Sequence, residues 1–487
     1  MDQFLNFPNG RGQVQIYNSS GAITSGNPLA VDIGNSTVNL NVGSGNINVS
    51  LTSGNISILN SGSLVSPTNP FPVTFSGNNV NIGYADTAAL DAFGRLRVST
   101  PFTLFDSQLV YGKELQVFNE SLSGGASITA NTDEACVVMS VGGTLNDKAI
   151  RQSKQYFRYQ PGKSQLILQT FVFGDSVNGV RKRIGYFDGY NGLFLEQIPA
   201  TEDTDGLRFV VRTSTSGSPV DSPVDRTEWN IDKMDGSGPS GVNLLVDKSQ
   251  ILLIDLEWLG VGRVRFGFVV DGNIYYAHEV LNTNYLDKVY MTTADLPVRA
   301  EIENTSGGNI DSMKVICTSV NSEGGFSKIG LPFTIGNGAS VKSVTTRRPI
   351  ISIKPNTTFN SVINRMQYEI TDLTVYSQSN TAYYEVVYNG VLNSGSFTNV
   401  QSGYSSMSYD TTASTISGGI VIAAGYAVAG GPGENAIGGA ATSLIKLPFG
   451  VNLNATDADI ITLVATCIEP SPKTSNVGAV FNWQEVR

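Results

Sequence analysis

The chain has 487 residues, of which 40% are hydrophobic and only 15% are charged, and its formal net charge is −10. This length predicts about three domains, and a charge content below the roughly 25% of ordinary soluble domains suits surfaces that become interfaces. The acidic balance argues against nonspecific nucleic-acid binding, which needs a basic face. The start of the chain lacks a basic, apolar signal sequence, and the longest apolar run, residues 420–429, is too short to span a bilayer. We therefore expect neither standard export nor a membrane anchor.

Residues 1–88 form the first predicted domain, an extended and almost uncharged β-ribbon in which Asp32 is the single charged side chain between Gln13 and Ala85. Short runs of alternating apolar residues lie between Ser-Gly-Asn turn signals, the pattern of half-buried strands joined by tight turns. Isolated hairpins of this kind are marginally stable in water. We therefore predict that the ribbon becomes ordered against copies of itself, in a trimer or a ring, or along another protein. The candidate self-association residues are Val38, Leu40, Ile47, Val49, Ile56 and Ile58.

Residues 89–345 form the second predicted domain, a jelly-roll-like β-sandwich. Several apolar runs have the length and composition of strands, and Asp271-Gly272 is a hairpin signal between two of them. Many strands separated by turns, without a sustained helical period, predict an antiparallel sandwich. Aromatic side chains such as Tyr186, Phe187 and Phe266 are expected to fill its core. The predicted strands cover residues 166–173, 208–213, 250–258, 264–270 and 274–280.

Residues 346–487 form the third predicted unit, a second β-sandwich. Residues 383–388 have the composition of a strand, and the following Asn389-Gly390 predicts a type I′ turn into a second strand at Val391. The Gly- and Ala-rich residues 418–441 lack the Lys-Ser/Thr of a phosphate-binding loop, and we predict a plain loop there.

The residues that usually carry catalytic or metal chemistry are sparse. His278 is the single histidine, and no nucleophile-elbow motif accompanies it, so we predict a structural role for it. Cys136, Cys317 and Cys467 are far apart and fit no metal spacing, which predicts reduced, buried cysteines and maturation in a cytosol. We predict no catalytic residue, no metal site and no cofactor.

One strand carries a carboxylate pattern. Residues 253–260 (LIDLEWLG) resemble the active strand of laminarinase-type glycoside hydrolases, whose pattern is Glu-x-Asp-x-Glu. Leu253 stands where the resemblance would require the nucleophilic carboxylate, so the retaining mechanism lacks its nucleophile. Asp255 and Glu257 remain, and because side chains alternate along a strand they share one side with Leu253. They could catalyse, contact a carbohydrate or a cation, or serve as structural carboxylates. Glu301 and Glu303 repeat the spacing near Arg299 and predict a salt-bridged sheet face.

The centre of the chain also resembles a family of structural proteins from tailed bacteriophages. The resemblance covers residues 91–330 and implies a capsid or tail component, without indicating its place on the particle. The matching strings are residues 91–99 (DAFGRLRVS), 151–163 (RQSKQYFRYQPGK), 183–188 (RIGYFD), 229–233 (WNIDK), 257–264 (EWLGVGRV) and 291–293 (MTT).

Together these observations predict a virion structural protein, a β-rich fibre, spike or decoration subunit on a capsid or tail, assembled in the cytoplasm of a host bacterium. Its partners would be copies of itself and other virion proteins, with strand-mediated contacts between them. We predict that it is not an enzyme and that it contacts neither nucleic acid nor membrane. Two alternatives remain open: a tail-fibre module that binds a glycan receptor of the host, and a polysaccharide depolymerase that uses Asp255 and Glu257.

Overall fold

The computed structural model describes residues 90–98, 100–199, 206–327, 329–429 and 448–487, together with five short pieces at 17–18, 21–22, 59–60, 63–64 and 436–437. The chain divides into two compact units, Met1–Gly83 and Tyr84–Arg487. In the first unit two short antiparallel pairs are described, β1 (Tyr17–Asn18) with β2 (Gly21–Ala22) and β3 (Leu59–Asn60) with β4 (Ser63–Leu64). The six candidate self-association residues lie outside the described residues, and that assignment stays a prediction.

The second unit begins with fifteen strands and one short 3₁₀ turn, Arg226–Glu228. The strands are β5 (Phe102–Ser107), β6 (Phe118–Ser123), β7 (Ser127–Asn131), β8 (Cys136–Val141), β9 (Lys148–Ser153), β10 (Ser164–Val172), β11 (Val180–Phe187), β12 (Gly192–Gln197), β13 (Leu207–Thr213), β14 (Val220–Asp225), β15 (Gln250–Leu256), β16 (Val264–Val270), β17 (Asn273–Val280), β18 (Val298–Asn304) and β19 (Asp311–Glu323).

These strands form two antiparallel sheets packed face to face. One sheet has the order β17-β16-β15-β10-β19-β8-β7, with β5 also paired to β19, and the other has the order β14-β13-β12-β11-β18-β9-β6. Alternate side chains of both sheets meet in one buried core, where the Phe209 ring stacks on those of Trp229 and Phe266 at centroid distances of 4.3 and 4.5 Å. The predicted sandwich is confirmed, because period-two sequences bury one face of each strand. Phe187, predicted in this core, instead lies in a separate buried cluster with Phe194 and Val210.

The rest of the second unit contributes the strands of a second sandwich. They are β20 (Leu331–Gly336), β21 (Lys342–Val344), β22 (Arg348–Pro355), β23 (Thr358–Phe359), β24 (Val362–Ile363), β25 (Gln367–Ser377), β26 (Ala382–Tyr388), β27 (Val391–Asn393), β28 (Thr398–Asn399), β29 (Met407–Asp410), β30 (Thr415–Ser417), β31 (Ile420–Ala427), β32 (Ala436–Ile437), β33 (Ile461–Cys467) and β34 (Ser475–Val486).

The second sandwich also consists of two antiparallel sheets with a shared core. One has the order β20-β34-β25-β32, with β21 paired to β34, and the other has the order β28-β29-β22-β33-β26-β31. Trp483 and Phe481 from the first sheet are buried with Ile353 and Leu463 from the second. Strands β20 and β21 come from residues that the sequence analysis grouped with the central domain. The chain is therefore an all-β protein, and none of its described residues forms a helix with the length and hydrophobicity needed to cross a bilayer.

Two local predictions in this sandwich are wrong. Ile420–Ala427 is a strand and not part of a loop, because its β-branched residues favour the extended backbone despite the surrounding glycines. Asn389-Gly390 does not close a hairpin: β27 pairs with β30, while β26 pairs with β31 and β33. By contrast, Asp271 and Gly272 have φ values of 49° and 78° and join β16 to β17, which confirms the hairpin predicted there.

Candidate functional site

Asp255, one of the two carboxylates singled out in the sequence, points away from the sandwich core. Leu252, Ile254 and Leu256 of β15 belong to the core, so Asp255 and Leu253 share the outer face of the eight-stranded sheet, as the alternation predicts. The side chain nevertheless has no exposed surface. Another part of the chain must therefore cover this face.

The oxygens of Asp255 accept hydrogen bonds from four protein donors. Oδ2 lies 2.5 Å from Arg265 Nη2, 2.6 Å from Arg97 Nη2 and 2.9 Å from the Tyr276 hydroxyl, and Oδ1 lies 2.9 Å from Ser164 Oγ. Burial, together with the charge of Asp255, raises the pKa of Tyr276 and keeps its hydroxyl protonated as a donor. A carboxylate accepts about four hydrogen bonds. In this arrangement protein groups satisfy the hydrogen-bonding capacity of Asp255.

Residues 90–98, which we call the anchor segment, cover this face of the sheet. Arg265 Nη2 donates to the Leu90 carbonyl at 2.9 Å, and Arg263 donates to the Ala92 carbonyl at 3.1 and 2.9 Å. Arg97 also forms a salt bridge of 2.8 Å with Glu323. The anchor segment overlaps the first string that resembles the bacteriophage proteins, residues 91–99, but sequence reasoning did not pair it with Asp255.

Glu257, the second carboxylate, forms hydrogen bonds across the turn that follows β15. Its Oε1 accepts a hydrogen bond from the backbone N–H of Arg263 at 3.1 Å, and its own backbone N–H donates to the Arg263 carbonyl at 3.1 Å. The side chain is half-buried, and burial raises the pKa of Glu257. These contacts give Glu257 a structural role in the turn.

The other polar residues discussed from sequence also contact protein groups. The backbone N–H of Asn230 donates to Nδ1 of the buried His278 at 3.2 Å, and burial lowers the pKa of this imidazole. Although burial opposes it, Arg299, Lys148 and Arg183 hold the pKa of Glu301 well below its usual range. The salt-bridged sheet face is confirmed. No group of three or more His, Cys, Asp or Glu side chains suited to a metal ion occurs among the described residues.

A cleft that the sequence analysis did not find lies between the two sandwiches of the second unit, with a volume of about 420 Å³. Its walls come from sequence-distant segments, the start of β5, the residues after β9, the start of β25 and the residues before β33. The lining contains three aromatic features. The rings of Phe102 and Phe326 are stacked at 5.5 Å, those of Tyr368 and Phe449 lie 5.4 Å apart, and Tyr156 lines the wall between the sandwiches.

Polar contacts fix the walls of the cleft. The Arg365 guanidinium lies 4.6 Å from the Tyr156 ring centroid and donates to the carbonyls of Val451, Asn452 and Leu453 at 3.2, 2.8 and 3.0 Å. Gln367 Nε2 donates to the Tyr156 carbonyl at 2.5 Å and so joins the two sandwiches directly.

A second set of hydrogen bonds orients the aromatic wall. Asn364 Nδ2 donates to the Tyr368 hydroxyl at 2.6 Å, and that hydroxyl lies 2.6 Å from Ser406 Oγ. Lys154 donates to the Tyr388 hydroxyl at 3.1 Å at one end of the lining. Flat apolar rings therefore lie beside fixed amide, hydroxyl and charged groups, a mixed lining of the kind that small-ligand sites have.

Known proteins resemble this chain only weakly. No protein-family model and no curated protein matches the chain. Among solved structures, a β-glucanase of Bacillus licheniformis matches with 9% identity and a TM-score of 0.28, covering 46% of this chain and 98% of that one. A glycosyl hydrolase family protein of Mycobacterium fortuitum matches with 8% identity and a TM-score of 0.33, covering 45% and 99%. The carbohydrate recognition domain of Emp47p matches with 12% identity and a TM-score of 0.30, covering 46% and 97%.

These matches require one correction. The glycoside hydrolases among them contradict the prediction that the chain is not an enzyme, and that prediction is withdrawn. With identities of 8–12% and TM-scores of 0.27–0.33, the likeness assigns neither an activity nor a catalytic residue to this chain.

Proposed function

We propose that this protein binds glycan chains in the cleft between its two sandwiches. The observation that carries the proposal is the lining of that cleft, where the aromatic pairs Phe102–Phe326 and Tyr368–Phe449 stand beside fixed polar side chains. Sugar rings have apolar faces that stack on aromatic rings and hydroxyl groups at their edges that need hydrogen-bonding partners. A volume of about 420 Å³ is in the usual range of small-ligand sites and would take a short stretch of a polysaccharide.

The charges of the cleft favour a glycan over a phosphate-bearing ligand. Arg365, the natural group to hold a phosphate, already donates to three backbone carbonyls. Lys154 donates to the Tyr388 hydroxyl and lies 3.9 Å from Asp459. A phosphate site needs donors that converge on an empty position. The net charge of −10 adds repulsion toward polyanions such as nucleic acids.

Glycan binding can be tested with the full chain on an array of bacterial surface polysaccharides and oligosaccharides, followed by titration calorimetry of any ligand found. Phe102→Ala and Phe326→Ala remove the stacked pair at the mouth, where Phe102 is 40% exposed and Phe326 is half-buried. We expect each to raise Kd by about tenfold, equal to roughly 1.4 kcal/mol.

Tyr111→Ala is the matched control, because Tyr111 is an exposed aromatic residue outside the cleft lining. It should leave Kd unchanged. Wild-type affinity in both cleft variants, or no binding to any glycan, would overturn the proposal. Release of reducing ends from a bound glycan would show that the protein also cleaves glycosidic bonds.

A role in a virion is the second proposal, supported by the resemblance of residues 91–330 to structural proteins of tailed bacteriophages. A glycan-binding virion protein would recognise the surface of a host cell, so the two proposals are compatible. An antibody against residues 346–487 should label intact tailed particles in the electron microscope. Unlabelled particles would remove this proposal and leave glycan binding standing.

A further inference from the structure

Strand β31 (Ile420–Ala427) lies at the edge of the six-stranded sheet of the second sandwich. It pairs with β26 on one side, and no described strand pairs with its other side. The outer N–H and C=O groups of such a strand are a template for a further strand. An edge of eight residues is long enough to accept one.

This edge lacks two of the features that usually prevent strand addition, charged side chains and proline, although it contains a bulge. Charged side chains and proline protect exposed edges from pairing. Residues 411–433 contain no charged side chain, and their single proline, Pro432, lies after the strand. The apolar side chains around the strand are also exposed. The exposed fractions are 48% for Ile420, 48% for Val421, 64% for Tyr426 and 56% for Val428.

A bulge places the exposed Val421 and Tyr426 on one face of the strand, whereas Ile420 projects to the other. Val386 pairs with Ala423 and Val387 pairs with Val421, so Ile422 is the extra residue. Beyond the bulge, Val421 projects to the same side as Ala424 and Tyr426, and all three are exposed. The Tyr426 ring also lies 5.4 Å from that of Tyr383 on the neighbouring strand.

The strand is complementary to itself. If a two-fold axis passes beside Ala424, the two Ala424 residues face each other and Tyr426 of each copy faces the bulge at Val421 of the other. Small residues at the centre allow close approach, and an aromatic ring against a β-branched residue is a favourable cross-strand pair. Neither copy would bury a charge, because neither edge has one.

We propose that β31 is a docking edge for a second copy of this chain, which joins by antiparallel pairing of β31 with β31 about a two-fold axis at Ala424. The six-stranded sheets of two copies would then form one continuous sheet. The contact is isologous and closed, so it makes dimers and not filaments. It does not depend on glycan binding.

The association can be measured by sedimentation velocity of the full chain. We expect Val421→Lys to weaken it by at least about tenfold in Kd, because two lysines would lie in a neutral interface. Ile310→Lys is the control, since Ile310 is 75% exposed in the first sandwich, and it should associate like the wild type. A wild-type chain that stays monomeric, or a Val421→Lys variant that associates like the wild type, would overturn the proposal.

The register can be tested with Ala424→Cys under oxidising conditions. Two facing cysteines should form a disulfide-linked dimer, because directly opposed residues in an antiparallel pair are close enough to be bridged. If the N-terminal ribbon of a neighbouring copy occupies this edge instead, Ala424→Cys will cross-link to Ile47→Cys in a mixture and not to itself. That result would replace the proposed partner.

Discussion

Arg97 donates to the carboxylate of Asp255 across the outer face of the first sandwich, with Nη2 and Oδ2 2.6 Å apart and the two residues separated by 158 positions. Arg265, on the neighbouring strand β16, donates to the same oxygen at 2.5 Å. One buried carboxylate therefore binds two arginines, Arg265 from the sheet and Arg97 from the anchor segment, and Arg97 also pairs with Glu323. This contact explains why an apparent catalytic position is occupied by a structural residue.

Removal of the Asp255 charge should destabilise the protein strongly. In Asp255→Asn, Arg97 and Arg265 lose the carboxylate that compensates them, and breaking a buried ion pair costs about 3–5 kcal/mol. Urea unfolding at neutral pH measures this loss. Asp247→Asn is the control, because the Asp247–Lys248 pair is exposed and should change stability by under about 1 kcal/mol. Equal stability of the two variants would contradict the structural role of Asp255.

Asp295 should give the protein a stability that decreases as the pH rises. Burial raises the pKa of Asp295 from 3.8 to about 6, although its Oδ1 accepts a hydrogen bond from the Tyr159 N–H at 2.8 Å. Between pH 3.8 and about pH 6 the folded state binds more protons than the unfolded state. The free energy of unfolding therefore falls as the pH rises through this range.

Asp295→Asn removes this titration and should stabilise the protein at pH 7.5 by up to roughly 3 kcal/mol, with a much smaller difference at pH 3.5. Urea unfolding of both proteins at the two pH values measures it. A difference that does not depend on pH, or a variant less stable at pH 7.5, would contradict the raised pKa.

Gly185 should be intolerant of any side chain. A Cβ at this position would lie 2.6 Å from the Phe194 Cα on the neighbouring strand, where the Phe194 side chain is fully buried. We expect Gly185→Ala to cost about 1–3 kcal/mol through overpacking. Gly189→Ala is the matched control, since a Cβ there meets no atom within 4 Å. Thermal unfolding of both variants gives the comparison, and similar Tm values would contradict the close packing described here.

Arg365 should position the cleft wall. Lysine cannot reproduce a planar guanidinium that stacks on Tyr156 and donates to three carbonyls. In Arg365→Lys we expect faster amide hydrogen exchange in residues 449–453 and a weaker glycan affinity. Arg208→Lys, which changes an arginine paired with Glu196 on the first sandwich, should leave exchange in residues 449–453 unchanged. Unchanged exchange in Arg365→Lys would show that this wall does not depend on the guanidinium.

Local patterns in the sequence predicted local structure well. The alternation in β15 placed Leu253 and Asp255 on one face, and Asp271-Gly272 located a hairpin, because both depend on neighbouring residues. The same approach failed for Ile420–Ala427, where nearby glycines outweighed a run of strand-forming residues. A propensity argument cannot decide such a segment, because pairing with β26 determines its conformation.

The sites that depend on distant contacts could not be predicted in this way. Nothing near Arg97 in the sequence indicates Asp255 as its partner, and the cleft combines Phe102, Phe326 and Phe449 from three separate segments. Tyr156 lies in a string that resembles the bacteriophage proteins, but its place in the cleft depends on Gln367 of the other sandwich. Such arrangements follow from the packing of whole sheets.

The anchor segment has a mechanical consequence. Any tension applied to the chain ahead of residue 90 reaches the folded body through residues 90–98, where Arg97, Arg263 and Arg265 hold the segment across several strands. These contacts lie at separate points of the segment, at Leu90, Ala92 and Arg97, so releasing it from the sheet requires the loss of all of them.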